Sequence, residues 1–286
     1  MMNSNTPTAP AAGPSDTPLL AFVGGGNMAS AILGGLIAAG HPASRVVVVE
    51  PHAPQAAFIR EKFGVCAEPA GSGGMLARAD IVVWAVKPQV FGEAAAPFAP
   101  FVGGALHLSV MAGIRSDAIV RAAGTERVVR AMPNTPALIG EGIAGLFARA
   151  AVTAADRAAI ERVLAPTGET LWVAQESDLD AVTALSGSGP AYVFFFLEAM
   201  MQAAAEMGLS PEQGRVLAQA TFKGATSLAR ASDESPATLR SRVTSKGGTT
   251  YAAITAMEAA GVKPAIVAAL RAAQARAKEL GDEFGA

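Results

Sequence analysis

Short apolar runs of strand length recur through the first half of the chain, and helical patterns separate them. Five strong runs and two weaker ones lie at residues 19–23, 45–50, 81–86, 106–110, 127–131, 143–147 and 170–173. Ser116 to Ala123 and Ala154 to Leu164 have the spacing of amphipathic helices. Strands that are apolar throughout and alternate with helices are typical of a parallel sheet covered on both faces. The pattern predicts a doubly wound α/β domain over residues 18–176.

The second half of the chain has a different pattern, because no strand-like run recurs there. Helix starts are marked at Ser210-Pro211 and Ser235-Pro236, where Ser is a good N-cap and Pro fits the first helical position. A last helix is expected from Pro264 to just before Gly281. Helical faces this apolar are hard to bury in so short a domain, whereas an intertwined oligomer would bury them. We expect an all-helical dimerisation and substrate domain over residues 177–286.

A glycine-rich turn follows the first predicted strand and opens a helix. Gly24, Gly26 and Ala29 occupy the positions of a G-x-G-x-x-A motif. Small residues at these positions give a tight turn, room for a pyrophosphate and close packing of helix on strand. The helix N-terminus then offers unpaired N–H groups to the phosphates. The motif alone is weak evidence, but here it lies in the strand–turn–helix context that it requires, which predicts a Rossmann-type dinucleotide-binding domain.

Three further candidates lie at predicted strand ends, where open α/β sheets bind ligands. Glu50 ends the second run, where an acid can bind the ribose 2′-OH of NAD, and no Arg or Lys follows it immediately. This spacing leans toward NADH, although an ordinary solvated carboxylate has the same pattern. Lys87, within Ala85-Val86-Lys87-Pro88, is either a ligand contact or a surface lysine. Asn134 either meets the carboxamide of a nicotinamide or merely caps its turn.

A second glycine-containing loop, Thr244 to Thr250, leads into a predicted helix over Tyr251 to Ala260. Such a loop at a helix N-terminus is an anion site, and hydroxyl groups from Ser245, Thr249 and Thr250 surround it. We expect the anion to be a substrate carboxylate, because the dinucleotide has its own loop. The alternative is that Thr249 only caps the helix.

Composition and charge narrow the class of protein. A chain of 286 residues suggests two domains, and a net charge of −2 gives no electrostatic reason to expect nucleic acid or an anionic membrane. No apolar run approaches the length of a membrane span. The single cysteine, Cys66, excludes an internal disulfide and fits a reducing cytosol, so a cytoplasmic location is expected. Residues 1–17 lack the apolar segment of a signal peptide and are expected to form a disordered tail.

Five motifs together resemble the pyrroline-5-carboxylate reductase family. They are FVGGGNMASAILGGL, AVKP, AMPNTPA, DAVTALSGSGPAYVFFFLEAM and TSKGGTTYAAI, in the family's order and spacing, and the resemblance covers nearly everything after the tail. It implies reduction of 1-pyrroline-5-carboxylate to proline with NADPH or NADH, the last step of proline biosynthesis. It also implies active sites built between the two interlocked subunits of a homodimer, with dimers often grouped into decamers.

The resemblance also implies roles for individual residues. Thr250 would hydrogen-bond the ring nitrogen of the imine and relay its proton as the catalytic residue. The sequence itself shows no metal-binding cluster and no plausible catalytic histidine, so no metal site is expected. Substrate-binding residues would be Ser245, Gly247, Gly248, Thr249 and Thr250. Cofactor-binding residues would be Val23, Gly24, Gly26, Asn27, Met28, Glu50, Ala85, Val86, Lys87, Pro88 and Asn134. The family usually has Pro at Lys246, so the loop is expected to be less rigid here, and Lys246 stays outside the expected site.

Two alternatives from other classes remain open at this point. A β-hydroxyacid or ketopantoate-type dehydrogenase pairs similar domains, but it needs a catalytic lysine on a helix after the linker, and only Lys223 precedes Lys246 there. A non-enzymatic, dinucleotide-sensing regulator would have no reason to keep the SKGGTT loop.

Overall fold

A computed structural model describes residues 17–68 and 73–284, which include an eight-stranded sheet of order β3-β2-β1-β4-β5-β6-β7-β8. The strands are β1 Leu20–Val23, β2 Val46–Val49, β3 Cys66–Glu68, β4 Ile81–Trp84, β5 Leu106–Ser109, β6 Val128–Met132, β7 Gly142–Ala148 and β8 Gly168–Trp172. β1 pairs in parallel with β2 on one side and with β4 on the other. The predicted doubly wound sheet is therefore confirmed, with β3 as an additional, unpredicted strand.

The α-helices occupy the connections of the sheet and the whole of the C-terminal third. Their bounds are α1 Asn27–Ala38, α2 Ala53–Phe63, α3 Gly73–Leu76, α4 Phe91–Ala95, α5 Ala99–Val102, α6 Ser116–Ala123, α7 Ala154–Leu164, α8 Asp178–Val182, α9 Gly189–Glu206, α10 Pro211–Arg230, α11 Pro236–Arg242, α12 Thr249–Ala259 and α13 Val262–Phe284. Short 3₁₀ turns lie at Ala43–Arg45, Pro88–Val90, Thr135–Ile139 and Ala165–Thr167, and a π-helical turn at Thr183–Gly187.

The far edge of the sheet departs from the predicted parallel arrangement. β7 runs antiparallel to β6, and β8 runs parallel to β7. The connection from β6 to β7 holds only the short turn Thr135–Ile139. A parallel crossover needs about a dozen residues or more, so this short connection returns the chain in the opposite direction.

The core explains why the strands are apolar at every position. Leu20 and Phe22 of β1 pack with the helices on one face of the sheet, whereas Ala21 and Val23 belong to the cluster on the other face. Successive side chains of a strand point to opposite faces, so a sheet covered on both sides buries all of them.

Two compact units divide the chain. One unit is Ala184–Arg276, and the other ends at Thr183 and resumes at Ala277. The predicted boundary at residue 177 lies earlier because the prediction assigned the helix that begins there to the helical domain. In the structure this helix, α8, belongs to the first unit, where Asp180 accepts hydrogen bonds from the two terminal guanidinium nitrogens of Arg115 at 3.1 and 3.0 Å. The predicted tail, residues 1–17, lies outside the described residues except for Thr17.

The last helix is longer than predicted at both ends. It begins at Val262 and continues through Gly281 to Phe284. A β-carbon at Gly281 would lie 2.3 Å from a guanidinium nitrogen of Arg115. Glycine is therefore present here to allow this close approach and not to end the helix.

The second unit is helical, and its two predicted Ser-Pro helix starts are confirmed. Ser210 caps α10 by accepting the N–H of Gln213 at 3.2 Å, and Ser235 caps α11 by accepting the N–H of Thr238 at 3.1 Å. No single helix among the described residues has the length and apolarity of a membrane span, although α12 and α13, bent by 54°, pass that test when taken together.

Large apolar side chains stay exposed throughout the second unit. Phe194 and Phe195 of α9 are 58% and 69% exposed. Others that are exposed include Leu185, Val193, Met200, Met207, Val216, Leu217, Leu228, Val243, Tyr251, Met257, Ile266 and Val267. Exposed apolar surface on this scale marks an interaction surface.

Candidate active site

The glycine turn lies where the strand order reverses, between β2 and β4. Gly24 has φ +96°, and its N–H donates to the carbonyl of Val49 at 2.9 Å. A β-carbon at Gly24 would lie 2.6 Å from the carbonyl oxygen of Ala85. Both the positive φ and the close approach require glycine. The turn thus passes tightly over the end of β4, the place at which open α/β sheets bind ligands.

The backbone at the start of α1 is exposed beside the glycine turn. Gly26 is the N-cap residue, and among the described residues no atom lies within 4 Å of where its β-carbon would stand. Asn27 and Met28 are the first two residues of α1, with Asn27 exposed and Met28 half-buried, while Ala29 is fully buried against the sheet. Bare backbone beside unpaired helical N–H groups suits a pyrophosphate, so these residues fit a dinucleotide.

The turn is held from behind by contacts that the sequence did not indicate. Gly25 is buried, and a β-carbon there would lie 2.3 Å from Ile59 Cδ1. Its N–H donates to Glu50 Oε2 at 2.8 Å, and its carbonyl accepts from Gln55 Nε2 at 2.6 Å. The run of three glycines in the sequence could have indicated that Gly25 is closely packed. Nothing in the sequence distinguishes Gln55 from an ordinary helical residue.

A cavity of about 470 Å³ opens beside the turn, at the carboxyl ends of β1, β2 and β4. It brings together Val23, Gly24 and Val86 of the expected cofactor site, and Val49 and Phe98 extend its apolar walls. An apolar cleft with backbone donors at its edge is the usual form of a small-molecule site.

Other expected cofactor residues lie beyond this cavity. Pro88 lines a separate groove of about 740 Å³ with residues of α4, α5, α6 and the end of α13. Lys87 is exposed and immediately precedes the 3₁₀ turn. Asn134 Oδ1 accepts the N–H of Ile143 at 3.0 Å, which fixes the side chain against the start of β7. Asn134 is the N-cap residue of the turn Thr135–Ile139, but its side chain makes no capping bond there and binds the start of β7 instead.

The loop of the second unit leads directly into the N-terminus of α12. Gly247 has φ +78°, and Gly248 is the N-cap of α12 with its N–H donating to the carbonyl of Ser245 at 3.0 Å. Thr249 and Thr250 are therefore the first two helical residues, and Thr249 is not the cap. The first-turn N–H groups and the hydroxyls of Ser245, Thr249 and Thr250 are the donors that a carboxylate would need.

The fully buried histidine of the first unit has a structural role. His107 on β5 is fully buried, its Nδ1 accepts the indole N–H of Trp84 at 2.9 Å, and its Nε2 lies 3.0 Å from the carbonyl of Val102. Burial lowers the pKa of His107 to about 4. The ring is therefore neutral, donating from Nε2 and accepting at Nδ1, and it bridges two adjacent strands.

Comparison with known proteins finds a family match in each half of the chain. Residues 176–280 match the family described as pyrroline-5-carboxylate reductase dimerisation, and residues 19–113 match the family described as NADP oxidoreductase, coenzyme F420-dependent. The pyrroline-5-carboxylate reductase of Pseudomonas aeruginosa is 42% identical to this chain over 271 residues, which cover 94% of the chain and 99% of the relative.

Two solved structures are similar over almost their whole length. A pyrroline-5-carboxylate reductase from Coxiella burnetii has a TM-score of 0.86 and 36% identity, covering 93% of this chain and 99% of that one. The Plasmodium falciparum pyrroline carboxylate reductase with NADP bound has a TM-score of 0.83 and 28% identity, with the same coverage. The identity and coverage of these relatives show that the chain belongs to the pyrroline-5-carboxylate reductase family.

Proposed function

We propose that the chain catalyses the NAD(P)H-dependent reduction of 1-pyrroline-5-carboxylate to proline, the last step of proline biosynthesis. The observation that carries the proposal is that a member of this family has two glycine-containing loops, each leading into a helix N-terminus of the kind that suits an anion. One is the open turn at Gly24 and Gly26, and the other is the loop from Ser245 to Thr250. A dinucleotide needs the first, and a substrate that carries a carboxylate needs the second.

The cofactor is held by the first unit. The pyrophosphate lies against Gly24, Gly26, Asn27 and Met28, and the wall formed by Val23, Ala85 and Val86 supports the rest of the dinucleotide. Glu50 would bind the adenosine ribose, Lys87 and Pro88 would line the cofactor pocket, and Asn134 would lie near the nicotinamide. The relative with NADP bound, together with the match to an NADP oxidoreductase family, supports the use of a nicotinamide dinucleotide. When bound, the reduced nicotinamide supplies a hydride.

The substrate is held by the second unit. Its carboxylate accepts N–H groups at the start of α12, where Gly247 and Gly248 let the chain approach closely, and the hydroxyls of Ser245 and Thr249 complete the contact. A protonated cyclic imine is already a strong electrophile, so a powerful acid is not required. Thr250 accordingly acts by hydrogen-bonding the ring nitrogen and orienting the imine carbon, since reaction demands an approach within roughly 3–3.5 Å.

The enzyme works as a homodimer in the cytoplasm, and its dimers can group into decamers. The exposed apolar side chains of α9 and α10 and the match of this region to a dimerisation family support an oligomer. Its partners are small molecules and further copies of the chain, with no role for nucleic acid or membrane.

Replacement of Thr250 tests the proposed role. Thr250→Ala should lower turnover by about 10–100-fold, the value of a hydrogen bond of roughly 1–3 kcal/mol, because the imine is no longer oriented. Thr250→Ser should retain most of the rate, since it keeps the hydroxyl. Turnover and the Kd of the cofactor are measured for both, and the Kd is expected to stay unchanged.

The matched control is Thr255→Ala, an exposed threonine on the same helix. It removes the same atoms outside the loop and should leave turnover unchanged. If Thr250→Ala turns over normally and loses only thermal stability to the same degree as the control, Thr250 is a helical residue without a catalytic role.

A further inference from the structure

The carboxylate of Glu50 is fixed in place by the turn that it borders. Glu50 directly follows β2 and is half-buried. Its Oε2 accepts the N–H of Gly25 at 2.8 Å, and its Oε1 accepts the N–H of His52 at 2.8 Å. Each oxygen therefore has a backbone partner, and the carboxylate cannot leave its position beside the glycine turn without breaking one of these bonds.

Negative charge dominates this side of the cleft. Val49 and Pro51, the neighbours of Glu50, line the cavity beside the turn, and the one charged residue among its described lining residues is Glu93. A 2′-phosphate requires a basic side chain in this place, as NADP-binding sites of this fold use an Arg.

The basic side chains nearest to Glu50 in the sequence and at the neighbouring strand ends either contact other groups or follow a different strand. Arg60 of α2 donates to the carbonyl of Ala67 at 2.7 Å, and Lys62 lies over the rings of Phe58 and Phe63 at 5.1 and 5.4 Å. Lys87 follows β4, which is separated from β2 by β1, so about two strand spacings of roughly 4.8 Å lie between the two strand ends.

From this arrangement we propose that Glu50 makes the enzyme select NADH over NADPH while also fastening the glycine turn; this rests on the proposed function. The remaining lone pairs of the carboxylate accept the 2′-hydroxyl of the adenosine ribose. A 2′-phosphate brings like charge to a carboxylate that two backbone bonds hold in position, and the penalty falls on NADPH alone.

Binding distinguishes this role without relying on turnover. The Kd values of NADH and NADPH are measured by titration of the wild type, Glu50→Gln, Glu50→Ser and the control Glu61→Gln. Glu61 is an exposed glutamate of α2, so its replacement makes the same change in net charge. The pair 5′-AMP and 2′,5′-ADP repeats the comparison with ligands that carry no nicotinamide.

The wild type should bind NADH about 10–100-fold more tightly than NADPH, with the same order for 5′-AMP over 2′,5′-ADP. Both Glu50 variants should bring the ratio to within about threefold by tightening NADPH, and Glu61→Gln should leave it unchanged. Loss of the turn's anchor alone would weaken both nucleotides equally and leave the ratio as in the wild type.

A wild-type ratio near one, or a ratio that both Glu50 variants preserve, overturns the assignment of Glu50. If the wild type nonetheless reduces pyrroline-5-carboxylate with both cofactors, the proposed function stands and only the selection of NADH is wrong. If neither nucleotide binds, both proposals fail together.

Discussion

Acidification should destabilise this protein through His107. The ring of His107 on β5 is buried, with the Trp84 indole of β4 donating to Nδ1 and the carbonyl of Val102 of α5 facing Nε2. A proton added to Nδ1 would place two N–H groups against each other and a charge in an apolar interior. The folded chain therefore resists protonation at a pH where the unfolded chain accepts it.

The size of the effect follows from the pKa. Burial lowers the pKa of His107 from 6.5 to about 4. Between these values the unfolded chain binds more protons than the folded chain, so the free energy of unfolding falls as the pH falls through this window. Each pKa unit is worth about 1.4 kcal/mol, so the loss is about 2 kcal/mol between pH 7 and pH 5 and about 3 kcal/mol once the pH is below 4.

The assay is denaturant unfolding at several pH values and one protein concentration, since an oligomer's stability depends on concentration. The variant His107→Asn keeps an acceptor for the Trp84 indole but does not titrate. Burial also lowers the pKa of His41, with a partly opposing hydrogen bond to Arg45, and this contribution is common to both proteins. The wild type should lose about 2 kcal/mol more than the variant between pH 7 and pH 5. Equal losses in the two proteins would refute the argument.

Three further outcomes are expected. Gly24→Ala should weaken dinucleotide binding at least about 10-fold in a calorimetric titration, because its β-carbon would lie 2.6 Å from the Ala85 carbonyl at a φ of +96°; unchanged affinity would contradict this. Glu176→Ala should lower the free energy of unfolding by about 3 kcal/mol, because it leaves the buried guanidinium of Arg130 without the carboxylate to which it donates at 2.7 Å. A loss below about 1 kcal/mol would contradict a stabilising role for this ion pair. Sedimentation at micromolar concentration should show no folded monomer, because the exposed apolar side chains of α9 need a second subunit to cover them. A folded, active monomer would contradict this role of α9.

The sequence predicted those parts of the fold that local pattern determines. Strands β1 and β4 are apolar at every position because they are covered on both sides, and the glycine turn stands out because Gly24 needs a positive φ. β3 went unpredicted because it has three residues and begins with the exposed Cys66, so it forms no apolar run. The return of the last helix to the first unit depends on Arg115 approaching Gly281, a tertiary contact without a local signature.

The candidate site also contains residues that the sequence could predict and contacts that it could not. Positions that need a positive φ, such as Gly24 and Gly247, could be named from the sequence alone. The partners of the side chains could not, because they come from distant segments: Gln55 reaches the carbonyl of Gly25, and Asn134 reaches the N–H of Ile143. Hydrogen bonds of this kind are defined only when the tertiary fold brings the elements together.

The most direct test of the central claim is the oxidation of NADH and of NADPH by the purified oligomer with pyrroline-5-carboxylate as substrate, with proline measured as the product. Cofactor should be consumed and proline should appear in equal amounts, with a higher kcat/KM for NADH. Binding of either cofactor without any oxidation, or activity on a 2-hydroxy acid but none on the cyclic imine, would contradict it.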